Sequence, residues 1–154
     1  MRTVLAVIFV AVFAAHANGQ PVAYAEGGPA GFSNFGGRWS NTFHVAAGGE
    51  GIVAGRIGVG GEIGFFQRVV TASGNATFHL TPPWSKAGAF ITGGYTRFGI
   101  LDGEGGFHAW NVGVGANVWL GDHAGLRLEL RDHIRPDSRG ATQYWSARAG
   151  VVVR

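Results

Sequence analysis

The sequence predicts an all-β fold: an eight-stranded antiparallel up-and-down transmembrane β-barrel. Three observations carry this. Apolar and polar residues alternate with period two in about eight runs, separated by turn residues, as strands with two unlike faces require. Glycine is abundant, 28 of 154 residues, and spread without a repeat. It is poor in helices but tolerated in strands that bend or are closely approached. The charged fraction is 14%, against about 25% in soluble domains. Yet no later apolar run reaches the roughly 20 residues of a membrane helix.

The N-terminus reads as a targeting segment. Met1-Arg2-Thr3 is a short positive start, Val4–Ala15 is almost wholly apolar, and Ala15-His16-Ala17 is a small-residue cleavage signal. The expected division is a signal peptide over residues 1–17 and one barrel domain over residues 18–154, with Gly19 an alternative cleavage point. There is no cysteine, which excludes a disulfide scaffold, thiolate metal sites and a lipidated N-terminus. The net charge is +3. One unit belongs to Arg2, and no basic stripe with interleaved aromatics appears, so nucleic acid is not an expected partner.

In chain order, the first strand lies within Val22–Phe32 and is the least regular. The second covers Asn41–Val53, with Phe43, Val45, Ala47 and Val53 opposite His44 and Glu50. The third, Ile57–Gln67, sets Ile57, Val59, Ile63 and Phe65 against Glu62. The fourth, Gly74–Leu80, sets Ala76, Phe78 and Leu80 against Asn75, Thr77 and His79. The fifth, Ala87–Phe98, is ambiguous because Phe90 falls opposite Ile91. The sixth, Ala109–Leu120, sets Val112, Val114, Ala116, Val118 and Leu120 against Asn111, Asn117 and Trp119. The seventh, Ala124–Ile134, sets Leu126, Leu128 and Leu130 against Arg127, Glu129, Arg131 and His133. The eighth is Tyr144–Arg154. Ala54-Gly55-Arg56 and Gly121-Asp122-His123 read as tight turns. Ser33–Ser40, Gly99–His108 and Arg135–Gln143 read as longer loops, as do Arg68–Ser73 and Thr81–Lys86 in the middle of the chain. The tendency is toward one rim of tight turns and one of long loops.

Alternation fits two barrels: a soluble one with the apolar face inward, and a membrane one with it outward. The polar face carries Glu50, Glu62, Arg127, Glu129, Arg131 and Arg148, interleaved with Gly58, Gly60, Gly64, Gly113 and Gly115. Small residues beside long charged ones suit a narrow lumen, whereas a solvent face gains nothing from them. An Arg or Lys toward lipid costs about 2–4 kcal/mol at midplane, and the apolar face is almost clean of charge. Trp39, Trp110 and Trp145 fall toward the long-loop end and Trp84 toward the other, as interfacial belts would. The six polar-face residues are expected to form a structural lumen network, the arginines paired with Glu50, Glu62 and Glu129.

With its Gly94-Tyr95, its Asn111-Val112-Gly113-Val114-Gly115 with Trp119, and its Gly125-Leu126-Arg127-Leu128-Glu129-Leu130-Arg131-Asp132, the chain resembles the small outer-membrane barrels of the OmpA/OmpW-like kind, as a stand-alone barrel domain. The resemblance covers about the whole mature chain. It implies the bacterial outer membrane, outer-membrane lipid and the barrel assembly machinery as surroundings, and no catalytic residue. Barrels of this kind usually end on an outward aromatic. Here the next outward position falls just after Arg154, so that assembly signal is expected to be weakened or to lie beyond Arg154.

No catalytic, cofactor or metal site is expected. The histidines lack ligand spacing, Gly58-x-Gly60 and Gly113-x-Gly115 lack a third glycine and a following helix, and Asp132-His133 follows no nucleophile elbow. Arg135-Pro136-Asp137-Ser138-Arg139 reads as a solvated loop, with lipopolysaccharide phosphates as the alternative contact. The expected role is non-enzymatic, membrane-structural or surface-interacting through the long loops. The alternatives are a narrow pore, a carrier of small apolar ligands, or a soluble secreted ligand-binding barrel.

Overall fold

The computed structural model describes residues 21–33, 39–83, 85–99, 105–137 and 140–154. Eight strands follow one another: β1 (Val22–Ser33), β2 (Trp39–Ala54), β3 (Ile57–Phe66), β4 (Val69–His79), β5 (Ala87–Phe98), β6 (Phe107–Trp119), β7 (Ala124–Asp137) and β8 (Gly140–Val153). Each pairs antiparallel with the next, and β1 closes on β8 with Ala23 opposite Val153. Closure leaves no sheet edge unpaired, the condition for strands to cross lipid. One rim, here the terminal rim, carries the outer ends of β1 and β8 and the β2–β3, β4–β5 and β6–β7 connections. The other, the distal rim, carries the remaining four.

Side chains alternate faces along a strand, and this chain uses that period to turn itself inside out. Phe43, Val45, Ile63, Phe65, Phe78, Val112, Val114, Leu126, Leu128 and Leu130 are exposed on the outer wall, Leu128 at 54%. The charged and amide side chains of the same strands are buried inside. Most of the buried side chains are therefore polar or charged, unlike those of an apolar-lined cavity in a soluble ligand-binding barrel. Strand five resolves the same way: Phe90 is fully buried and Ile91 faces out at 47%. Trp39 and Trp110 are exposed near the distal rim, whereas Trp119 points inward. Trp145 lies over Gly31, where a Cβ would stand 2.8 Å from its indole nitrogen.

The strand boundaries depart from the sequence reading at the distal rim. Strand β4 starts at Val69, not Gly74, and pairs with β3 down to Phe66↔Val69. The expected loop at Arg68–Ser73 is therefore a two-residue turn, Gln67-Arg68, with Gln67 at φ 60. The β-branched run Val69-Val70-Thr71 favours strand, while a glutamine in the left-handed region gives no composition signal. Strands β7 and β8 likewise run on to Asp137↔Gly140, so Arg135–Asp137 is strand rather than solvated loop, and only residues 138–139 separate the two. Residues 34–38 separate β1 from β2, residues 99–106 separate β5 from β6, and residues 80–86 separate β4 from β5. The expected contrast between a short-turn and a long-loop rim is thus absent. Polar and glycine residues mark where a chain is able to turn, but a ladder continues for as long as its backbone groups find partners. Trp84 lies outside the described residues, as do residues 1–20.

Candidate functional site: the lumen

The inward face is filled in three layers. Nearest the distal rim Ala30, Phe66, Phe98 and Ala109 form a buried cluster, with Phe107 and Tyr144 packed on it. Phe98 stacks on Phe107 with ring centres 4.6 Å apart and meets Phe66 edge-on. His44 and His133 border this layer; their ring centres are 6.2 Å apart. Nearest the terminal rim Tyr24, Trp119 and Val152 form a second cluster, and Arg154 lies over the Trp119 ring at 4.2 Å. Phe90 is seated where Gly115 leaves space: a Cβ on Gly115 would collide with its ring.

Between them lies a network of three arginines and three glutamates, all buried. Arg148 is the central cation. Its guanidinium reaches Glu26 at 2.8 Å, Glu62 at 2.9 Å and Glu129 at 2.9 Å. Glu129 is the central acid, accepting from Arg131 and Arg148 on one oxygen and from Arg127 at 2.8 Å on the other. Glu62 accepts from Arg131 at 3.1 Å, from Arg148, and from the Tyr24 hydroxyl at 3.2 Å. Arg127 is sandwiched between the Tyr24 and Phe90 rings, 4.2 and 4.1 Å from their centres. Desolvating each charge costs several kcal/mol, recovered only when partners and hydrogen bonds are complete. Equal numbers of each sign give every charge an opposite partner, and Glu62 and Glu129 also have their hydrogen bonds. Glu26 is held least well, because its oxygens make ion contacts without an aligned hydrogen bond.

Five of the six sequence-derived residues meet here: Glu62, Arg127, Glu129, Arg131 and Arg148. The sixth, Glu50, does not. It takes His79 at 2.6 Å instead of an arginine, in space left by Gly58, where a Cβ would strike the Glu50 carboxylate. Glu26 occupies the place expected for Glu50. It went unread because the glycines and proline of Gly27-Gly28-Pro29 blur the alternation of β1. The usable signal was Tyr24 and Glu26 two residues apart on one face. The two other inward histidines also hold hydrogen-bond contacts: His44 to Ser146 at 3.4 Å and His133 to the Tyr144 carbonyl at 3.1 Å. Asp132 points outward and His133 inward, so the two do not form a catalytic pair.

No protein-family model and no curated protein matches the sequence. Solved structures do match over most of the chain. Neisserial surface protein A aligns at a TM-score of 0.67 and 11% identity, covering 86% of this chain and 96% of that one. The N-terminal β-barrel domain of Pseudomonas aeruginosa OprF aligns at 0.63 and 14%, covering 88% and 98%. The outer membrane protein OprG from Pseudomonas aeruginosa aligns at 0.57 and 10%, covering 89% and 97%. Sequence identity this low speaks to backbone alone, and the backbone is clear: the chain has the fold of the small outer-membrane β-barrels.

Proposed function

We propose that the chain is an exported, non-enzymatic protein of the bacterial outer membrane, with residues 1–17 removed on export, whose role is structural or surface-interacting. The observation that supports this most is the combination of an apolar outer wall with a lumen filled from rim to rim. Among the described residues, side chains packed in three layers take up the space a substrate would need, which favours the wall and the rims for contacts. Small barrels of eight strands commonly have side-chain-filled interiors. The short connections narrow the expected role of long loops to the distal rim as a whole. There Arg68 is exposed, and Arg135 lies 4.6 Å from the Phe107 ring centre. Lipopolysaccharide phosphates are the partner that arginines would hold bidentately.

The test is cell fractionation with a high-salt wash, followed by proteolysis of intact cells. The protein should stay with outer membranes and be cut only in residues 99–106 or the other distal connections. Release by salt would refute the reading. For the pore alternative, the filled lumen leads us to expect no steady single-channel conductance in planar bilayers.

A further inference from the structure

The ladder that closes the barrel is broken at one place. Strand β1 pairs with β8 from Ala23 to Gly27 and again from Ala30 to Ser33, but not at Gly28 and Pro29. On its other side β1 pairs with β2 without a gap, Pro29 with Phe43 included. Proline has no N–H to donate, so the lost rung falls on the β8 side. Within sheets proline is confined to edges, first positions and bulges. Pro29 lies inside β1 and marks its β8 side as the nearest thing this closed barrel has to an edge. The other strand proline, Pro136, lies past the last β6–β7 pair, Trp110↔Ile134, where no rung is lost.

Little else joins the two strands at the break. Outside, Gly27, Pro29, Ala147 and Ala149 line a shallow furrow of about 560 Å³, and side chains this short reach across only weakly. Inside, β1 presents Tyr24, Glu26, Gly28, Ala30 and Phe32 in turn. Tyr24 packs with Val152 in the terminal-rim layer. The Phe32 ring lies 6.0 Å from that of Tyr144 at the distal one. Between these layers Gly28 has no side chain and Ala30 only a methyl, so of the β1 residues Glu26 alone is long enough to cross. It reaches Arg148 on β8 at 2.8 Å and Arg127 on β7 at 3.6 Å. Arg148 is in turn anchored to Glu62 on β3 and Glu129 on β7. The approach is close, because Glu26 stands opposite Gly150, where a Cβ would collide with the β1 backbone.

We propose that the β1–β8 seam is a latch: the barrel opens sideways there, and the Glu26–Arg148 pair stands in for the missing backbone rung in holding it shut. Glu26 ties β1 to a cation that the rest of the network fixes. Opening parts this one ladder and leaves the other seven closed.

The experiment is amide hydrogen exchange of the whole chain in detergent micelles, read residue by residue by NMR. Amides that donate across the β1–β8 seam should exchange about tenfold faster than those of the β3–β4 ladder, because a local opening precedes the global one. Glu26→Gln should quicken the seam about tenfold, the equivalent of about 1.4 kcal/mol. The Arg131 ion pairs run to Glu62 and Glu129 on β3 and β7 and survive the opening of the seam. Arg131→Gln should therefore quicken β3–β4 and leave the seam unchanged. Pro29→Val returns the N–H and should slow the seam. Seam amides that exchange no faster than β3–β4, that follow β3–β4 in Arg131→Gln, or that ignore Glu26→Gln or Pro29→Val would each overturn the latch.

Discussion

Replacing Glu62 by glutamine tests whether the lumen is held by balanced charge. The change keeps the side chain's size and one acceptor oxygen. It removes the charge that faces Arg131 at 3.1 Å and Arg148 at 2.9 Å, leaving three arginines against Glu26 and Glu129. Hydrogen bonds to a charged group are each worth about 1.5–3 kcal/mol, and breaking a buried pair costs about 3–5 kcal/mol. Both estimates point to a loss of about 3–4 kcal/mol. The assay is urea unfolding in detergent micelles, followed by tryptophan fluorescence, to which the buried Trp119 contributes. Glu62→Gln with Arg131→Gln restores the balance, so the double variant should lose less than the two single losses together, by about 1–3 kcal/mol. Glu26→Gln should cost less than Glu62→Gln, since its contacts lack aligned hydrogen bonds. A Glu62→Gln loss below about 1 kcal/mol, or a double variant losing the full sum, would refute the network account.

Leu128→Arg should block stable membrane insertion, as a lipid-facing arginine costs about 2–4 kcal/mol at midplane. Arginine at Gly105, outside the strands, should be tolerated, and equal membrane yields would count against the orientation. Gly58→Val should lower the unfolding midpoint by displacing the Glu50 carboxylate from His79, measured by the same urea titration; an unchanged midpoint would mean that the pair is dispensable.

By itself the sequence determined the strands' existence and the faces they present. Period-two alternation is a local property, and Leu126-Arg127-Leu128-Glu129-Leu130-Arg131 states its two faces without reference to any other segment. Charge against glycine on one face was enough to decide which side is the lumen, because a lipid face excludes charge and a narrow lumen needs room. What the tertiary structure decided is everything that depends on register. Glu50 and Glu26 both face inward, and only the stagger of β1 against β8 brings Glu26 to Arg148 and leaves Glu50 to His79. The extent of each ladder past its turn residues, as at Val69 and Asp137, is set by pairing across strands rather than by composition.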